Sequence, residues 1–242
     1  MTVQLLPRRR CFLAMLLLAT CPAISSAAET VVLLHGLGRT RLSMARLANA
    51  LERDGYRVIN LSYPARSLPL ETLAADWLPR RLREHDVAAA ERLHFVTHSM
   101  GGIVVRLWLR DGAAPANLGR VVMLAPPNAG SEVSDRLDAF APFRWFTGVN
   151  GRRLGTRADA LPATLGPWPA ARADLGVVAG NYSLNPLFSA WLPGPDDGKV
   201  TVAATHLAGQ RDHVVLPYSH TWLGWRASTI ARVKTFLRSG RF

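Results

Sequence analysis

Cysteine is nearly missing from this 242-residue chain: the two present, Cys11 and Cys21, both lie near the N-terminus. The remainder therefore has no disulfide framework and no thiolate metal site, and its stability must come from packing. Long apolar runs are scarce as well. The single one, Cys11 to Ala19, is too short to cross a hydrocarbon layer of about 30 Å as a helix, which excludes a transmembrane span built on it. Acidic residues are few, 17 against 29 basic ones, for a formal net charge of +12. The arginines are scattered through every element and no nucleic-acid module signature accompanies them, so the charge reads as solubility and weak attraction to anionic membrane surfaces, with no nucleic-acid partner. Among the seven histidines no His-Glu-x-x-His pair occurs, which argues against a metal-dependent hydrolase; no metal and no organic cofactor is expected. Internal repeats and low-complexity tracts are missing too.

What is present is a globular composition, 49% hydrophobic and 19% charged with 7 Trp, enough to bury a sizeable core. The first 27 residues stand apart. Arg8, Arg9 and Arg10 precede the apolar run, Pro22 breaks it, and Ser25-Ser26-Ala27 supplies small residues before Ala28. That order reads as a signal peptide cleaved after Ala27, predicting an exported protein, periplasmic or secreted, with Arg9-Arg10-Cys11-Phe12-Leu13 resembling the twin-arginine export pattern. Cleavage removes both cysteines and leaves residues 28–242 as one domain.

Along that domain, continuous apolar runs alternate with helical periodicity. Strands are predicted at Thr30–Leu34, Arg57–Leu61, Leu93–Thr97, Arg120–Ala125, Leu175–Ala179 and His213–Leu216. Between them, Met44, Leu47, Ala48 and Leu51 recur at helical spacing, with Thr40 as N-cap and Gly55 as the stop. Leu70, Leu73, Ala74, Trp77 and Leu78 mark a second helix that Pro79 kinks or restarts, Met100–Arg110 a third, and Trp222–Leu237 a terminal one. Strand-helix alternation predicts an α/β fold with a mostly parallel central sheet and helices on both faces. Residues 126–172 lose periodicity amid Gly, Pro and aromatics, and are expected to form a short irregular, cap-like excursion above the sheet.

The most informative segment is Phe95-Val96-Thr97-His98-Ser99-Met100-Gly101-Gly102-Ile103: a serine on a tight turn between an apolar strand and an apolar helix. Such a turn projects the hydroxyl from the strand's C-terminal end and aims the helix's positive end at developing negative charge. This segment, with His35-Gly36-Leu37-Gly38-Arg39 near the start of the domain, resembles the α/β-hydrolase superfamily, specifically compact bacterial lipases and esterases. The resemblance runs from about Thr30 to Phe242, with Thr97 standing where the family usually has the first elbow glycine.

The resemblance implies a chain order of Ser, then acid, then His. Ser99 is then the nucleophile. Pro195-Asp196-Asp197-Gly198 looks like the acid loop, with Asp197 as the acid and Asp196 as fallback; Tyr218-Ser219-His220-Thr221 falls where the base belongs, making His220 the base. His213 competes from an apolar strand, and Asp135, Asp138 and Asp212 are rival acids that read as solvated or capping groups. The backbone N–H groups of Leu37 and Met100 would form the oxyanion hole, with His35 and His98 supporting the two loops. The implied activity is that of an exported serine esterase or lipase taking a small-molecule ester or lipid through an acyl-enzyme. Acyl transfer with the same triad, and a non-catalytic lipid- or partner-binding module, remain alternatives at this stage. The aromatic excursion, Trp145 and Trp168 included, is expected to shape either the acyl pocket or the core.

Overall fold

The computed structural model describes residues 29–112 and 114–242; the signal peptide expected at residues 1–27, with both cysteines, lies outside the described residues. Six strands form one all-parallel sheet: β1 (Thr30–Leu34), β2 (Arg57–Leu61), β3 (Leu93–His98), β4 (Leu118–Leu124), β5 (Asp174–Gly180) and β6 (Asp212–Leu216). Their spatial order is β2-β1-β3-β4-β5-β6. The strands match the apolar runs within a residue or two because central parallel strands are covered on both faces and must be apolar throughout. Every residue of β1 and β3 is buried, whereas the edge strands β2 and β6 are partly exposed.

The period-two geometry of a strand divides each apolar run between two cores. Val32 and Leu34 of β1, Phe95 of β3, Val121 and Met123 of β4 and Leu175 and Val177 of β5 face one core. It is completed by α2 (Leu70–Thr72), α3 (Leu78–Glu84) and α4 (Met100–Asp111). Val31, Leu33, Val96, Val122, Leu124 and Val178 face the other core, against α1 (Ala45–Glu52) and α10 (Ala227–Ser239). Helix α4 is buried from Met100 through Leu109, the signature of a central helix with no solvent face over that stretch.

Three helix boundaries differ from the sequence reading. The first begins as a 3-10 turn, Arg41–Met44, with Thr40 accepting from the Leu42 N–H. The second runs unbroken into α3, but through a π-helical segment, Leu73–Trp77, in which the Leu78 N–H reaches back to the Leu73 carbonyl. Pro79 offers no N–H for the following turn, and the widened helix absorbs that loss. The last opens as a 3-10 turn, Leu223–Trp225, and Arg226 is extended before α10 starts.

The segment after β4 is not irregular. It folds into α5 (Glu132–Leu137), α6 (Ala141–Thr147), a 3-10 turn (Gly148–Leu154) and α7 (Leu161–Thr164). The α-helical pieces span two turns at most, too few for periodicity to register, and Pro142 and Pro162 in the first turns of α6 and α7 read in sequence as breakers. Two buried polar residues fasten this segment down. Asn150 accepts from the Leu70 N–H and donates to the Ala65 and Leu68 carbonyls. Arg106 of α4 donates to the carbonyls of Asn128, Pro162 and Gly166. Two further short helices, α8 (Pro186–Ser189) and α9 (Val202–Thr205), lie between β5 and β6.

Candidate active site

In an open parallel sheet, ligands bind beyond the carboxyl ends of the strands, where neighbouring connections leave in opposite directions. Here that point lies between β1 and β3: the chain leaves β1 toward α1 on one face and leaves β3 toward α4 on the other.

Ser99 occupies this junction. Its backbone lies at φ 53° and ψ −122°, a region costly for any residue with a side chain, and its N–H is held by the Leu124 carbonyl at 2.8 Å. The turn is tight because α4 starts immediately at Met100 and packs directly on β1. An atom at the Cβ position of Gly101 would sit 2.7 Å from the Leu34 carbonyl oxygen and 3.0 Å from that of His35. Thr97 fits in place of a glycine because Gly102 leaves room beside it, a Cβ there coming within 3.3 Å of Thr97 Oγ1.

The loop after β1 is positioned by His35. Its Nδ1 donates to the Gly36 carbonyl, its Nε2 accepts from the Tyr63 N–H, and its ring stacks on Tyr63 at 4.2 Å between centroids. Burial holds this imidazole below its ordinary pKa, so it stays neutral and can play both roles. Leu37 lines the cavity beside Ser99, and Met100, the first residue of α4, carries one of the first-turn N–H groups that have no intrahelical acceptor.

Asp197 and His220 meet from distant loops. His220 Nδ1 lies 2.8 Å from Asp197 Oδ2, and the His220 N–H donates to the Asp197 carbonyl at 2.9 Å. The other carboxylate oxygen accepts from the backbone N–H groups of Lys199 and Val200, at 3.0 and 2.9 Å. Asp197 is 2% exposed and His220 5% exposed. His98 ties this pair to the serine turn, its Nε2 donating to the His220 carbonyl at 2.9 Å. Burial first, and then the neighbouring His220, hold His98 well below its ordinary pKa, leaving it neutral.

Ser99 and His220 both line a cavity of about 250 Å3. One side is apolar and comes from the segment after β4: Val133, Leu137, Phe143, Phe146 and Leu154. Arg39 and Lys199 line the cavity as well. Trp145 and Trp168 do not line it, contrary to one expectation from the sequence. Trp145 is 77% exposed under the Arg66 guanidinium, and Trp168 is a core residue whose Nε1 donates to the Ala173 carbonyl.

The competing residues are engaged elsewhere. His213 stacks on His206 at 3.8 Å and pairs with Thr205, away from the cavity. Asp196 accepts from Ser189 and from the Gly198 N–H, Asp135 from Thr156, and Asp212 from the His213 and Phe242 N–H groups. Asp138 does not line the cavity. The sequence reading overlooked Arg39 and Lys199 as cavity residues and Arg106 and Asn150 as anchors. The first two were legible as the residues directly after Gly38 and Gly198; the other two carry no local signal. Among the described residues, no group of three or more His, Cys, Asp or Glu is placed to hold a metal ion.

The sequence pattern of the alpha/beta hydrolase family matches residues 31–240. No curated protein sequence matches the chain. Among solved structures, the mature form of the Bacillus licheniformis lipase BlEst2 aligns with TM-score 0.62 at 20% identity, covering 88% of this chain and 91% of that one. The chain spans 47% of the propeptide form of the same lipase. A metagenomic carboxyl esterase, MGS0156, aligns with TM-score 0.62 at 21% identity, over 82% of this chain and 66% of its own. The phospholipase PlaB from Legionella pneumophila aligns with TM-score 0.60 at 20% identity, over 74% and 46%. At these identities the likeness is one of fold.

Proposed function

The chain belongs to the alpha/beta hydrolase family, and on that premise we propose that it is a serine hydrolase of carboxylic esters working through an acyl-enzyme. The observation that carries this reading is the buried His220–Asp197 pair opening into the same cavity as the strained Ser99. In the proposed cycle His220 takes the Ser99 proton as the oxygen attacks the ester carbonyl. The Leu37 and Met100 N–H groups receive the oxyanion, and Asp197 holds the imidazole with its proton on Nδ1 and steadies the imidazolium. The imidazolium then protonates the leaving alcohol, and water activated by the same histidine releases the acid. Distant lipase and esterase neighbours support an ester substrate. The basic, apolar and small-residue order of residues 8–27 supports export.

The test is hydrolysis of chromogenic esters of increasing acyl length by the purified protein beside Ser99→Ala. Turnover that falls to background in the variant, with a serine-directed phosphonate labelling only the parent, is the expected result. A folded protein that hydrolyses no ester and resists the phosphonate would refute the reading in favour of a binding module. Product transferred to an added alcohol faster than to water would shift it to acyl transfer.

A further inference from the structure

The cavity wall is lopsided in charge. Arg39 and Lys199 line it, and no Asp or Glu side chain does. Asp197, the carboxylate that acts on Lys199, is committed to His220 and to two backbone N–H groups. Neither cation has a carboxylate within ion-pair distance in the structure, although the chain pairs arginines with acids at several surface sites.

The two cations come from the loop after β1, which carries Leu37, and from the loop that carries Asp197. Arg39 ends the loop after β1, and its guanidinium donates to Thr221 Oγ1, next to His220, at 2.9 Å. Lys199 is held by its own backbone: its N–H donates to Asp197 and its carbonyl accepts from Ser131 Oγ at 2.7 Å. Burial lowers the lysine's pKa, and the Arg39 charge lowers it further against the pull of Asp197, so the two cations lie near enough to repel one another. Arg39 is exposed and Lys199 half-buried, so the lysine is the one that loses solvation, and an anion between the two charges would offset that cost and their mutual repulsion.

We propose that this pair is an anion subsite of the catalytic cavity, and that the substrate is an ester whose acyl part is apolar and whose alcohol part bears a phosphate or carboxylate. The acyl chain lies on the wall made by Val133, Leu137, Phe143 and Leu154, and the anionic group on the leaving alcohol lies between Arg39 and Lys199. The proposal rests on the ester-hydrolase reading and adds the substrate class. The reaction stays a hydrolysis: the acyl carbon–oxygen bond breaks, the anionic alcohol leaves carrying a proton from His220, and water supplies the oxygen of the released acid.

The experiment compares kcat/KM for matched pairs: 1-hexanoylglycerol 3-phosphate against 1-hexanoylglycerol, and O-hexanoyl-lactate against O-hexanoyl-lactamide. The phosphate and carboxylate arms separate the two sources of negative charge. In the parent, at least one anionic ester is expected to be favoured over its neutral partner by about tenfold, equivalent to about 1.4 kcal/mol. That ratio should shrink in Arg39→Gln and in Lys199→Gln, approach one in the double variant, and persist in Lys199→Arg. It should also weaken as ionic strength rises from about 0.05 to about 0.5 M. The readout is a ratio, so a general loss of activity cannot imitate it. A ratio near one in the parent for both pairs, or a preference that survives the double variant, overturns the subsite while leaving the hydrolase reading intact. If no ester is turned over, calorimetric binding of 1-hexanoylglycerol 3-phosphate decides: binding lost in the double variant supports the subsite, and binding unchanged or undetectable in the parent refutes it.

Discussion

Replacing Gly101 by alanine sets two effects of known sign against each other. In a helix interior, glycine to alanine ordinarily stabilises by about 1 kcal/mol, because alanine loses less backbone entropy on folding. Gly101 lies in the first turn of α4, but its α-carbon faces β1 at close range. The added methyl would lie 2.7 Å from the Leu34 oxygen and 3.0 Å from the His35 oxygen. Both contacts fall well inside the about 3.5 Å at which heavy atoms attract. Both obstacles are backbone in a buried region, so relief requires α4 and β1 to separate. Overpacking of that kind costs about 1–3 kcal/mol, and more where no side chain can rotate away, so it outweighs the propensity gain. The expected net is a loss of about 2 kcal/mol, seen as a fall in Tm of about 4–8 °C for a chain of this size. The same separation moves the Met100 N–H away from the loop carrying Leu37, so kcat should fall about a hundredfold, the scale of losing one oxyanion donor. Gly102→Ala is the comparison: its methyl would meet side chains only, the Met123 sulfur at 3.0 Å and Pro126 Cβ and Thr97 Oγ1 at 3.3 Å, so a smaller loss of stability than in Gly101→Ala is expected. Calorimetry and ester kinetics on both variants decide the matter. A Gly101→Ala protein as stable as the parent with parental kcat would refute the argument that α4 must touch β1 for the site to form.

Three further outcomes follow from the same geometry. In Asp197→Asn the amide oxygen can keep the Lys199 and Val200 N–H groups while its NH2 faces His220 Nδ1, which forces the wrong imidazole tautomer. Ester kinetics should then show kcat lower by about 10⁴ with Tm changed little. Arg106→Met leaves the carbonyls of Asn128, Pro162 and Gly166 without their charged donor and should lower stability by about 2–4 kcal/mol, read as a reduced urea midpoint. A midpoint unchanged from the parent would count against that anchoring role. Burial, and secondly His206, lower the His213 pKa from 6.5 to about 4, so the native state favours the neutral ring while the unfolded chain takes up a proton near 6.5. Stability is therefore complete above pH 6.5 and lost as pH falls toward about 4, by about 1–2 kcal/mol for this half-buried ring once solvent screening is allowed for. A Tm that does not fall from pH 7 to 5, or a slope unaltered in His213→Gln, would contradict it.

The sheet was legible because parallel strands covered on both faces must be apolar without interruption. Thr30–Leu34 and Leu93–Thr97 could be read on that ground, and the strands found there, the second running one residue further to His98, are buried along their whole length. The serine turn was legible for a related reason: strand, turn and helix follow within a few residues, so the local sequence contains the geometry. Helix boundaries were less visible where backbone detail overrides periodicity, as in the π-helical segment before Pro79 and the extended Arg226 before α10. The segment from Glu132 to Thr164 hid its helices because each is shorter than the periodicity needed to reveal it.

The histidine and its acid illustrate a different limit. No local pattern near Asp197 or His220 dictates that they meet; chain order within a recognised family suggested it, and the contact depends on two separate returns of the chain from the sheet. What fixes their meeting is a set of backbone bonds that sequence periodicity does not encode. The His220 N–H donates to the Asp197 carbonyl, and His98 donates to the His220 carbonyl from the turn that carries Ser99. A protonated His98 could still donate to that carbonyl, but in the proposed cycle it would place a second cation against His220 when that ring becomes imidazolium. Its burial therefore does more than fill space between loops: it keeps the tether uncharged through the proposed step in which His220 would gain the serine proton.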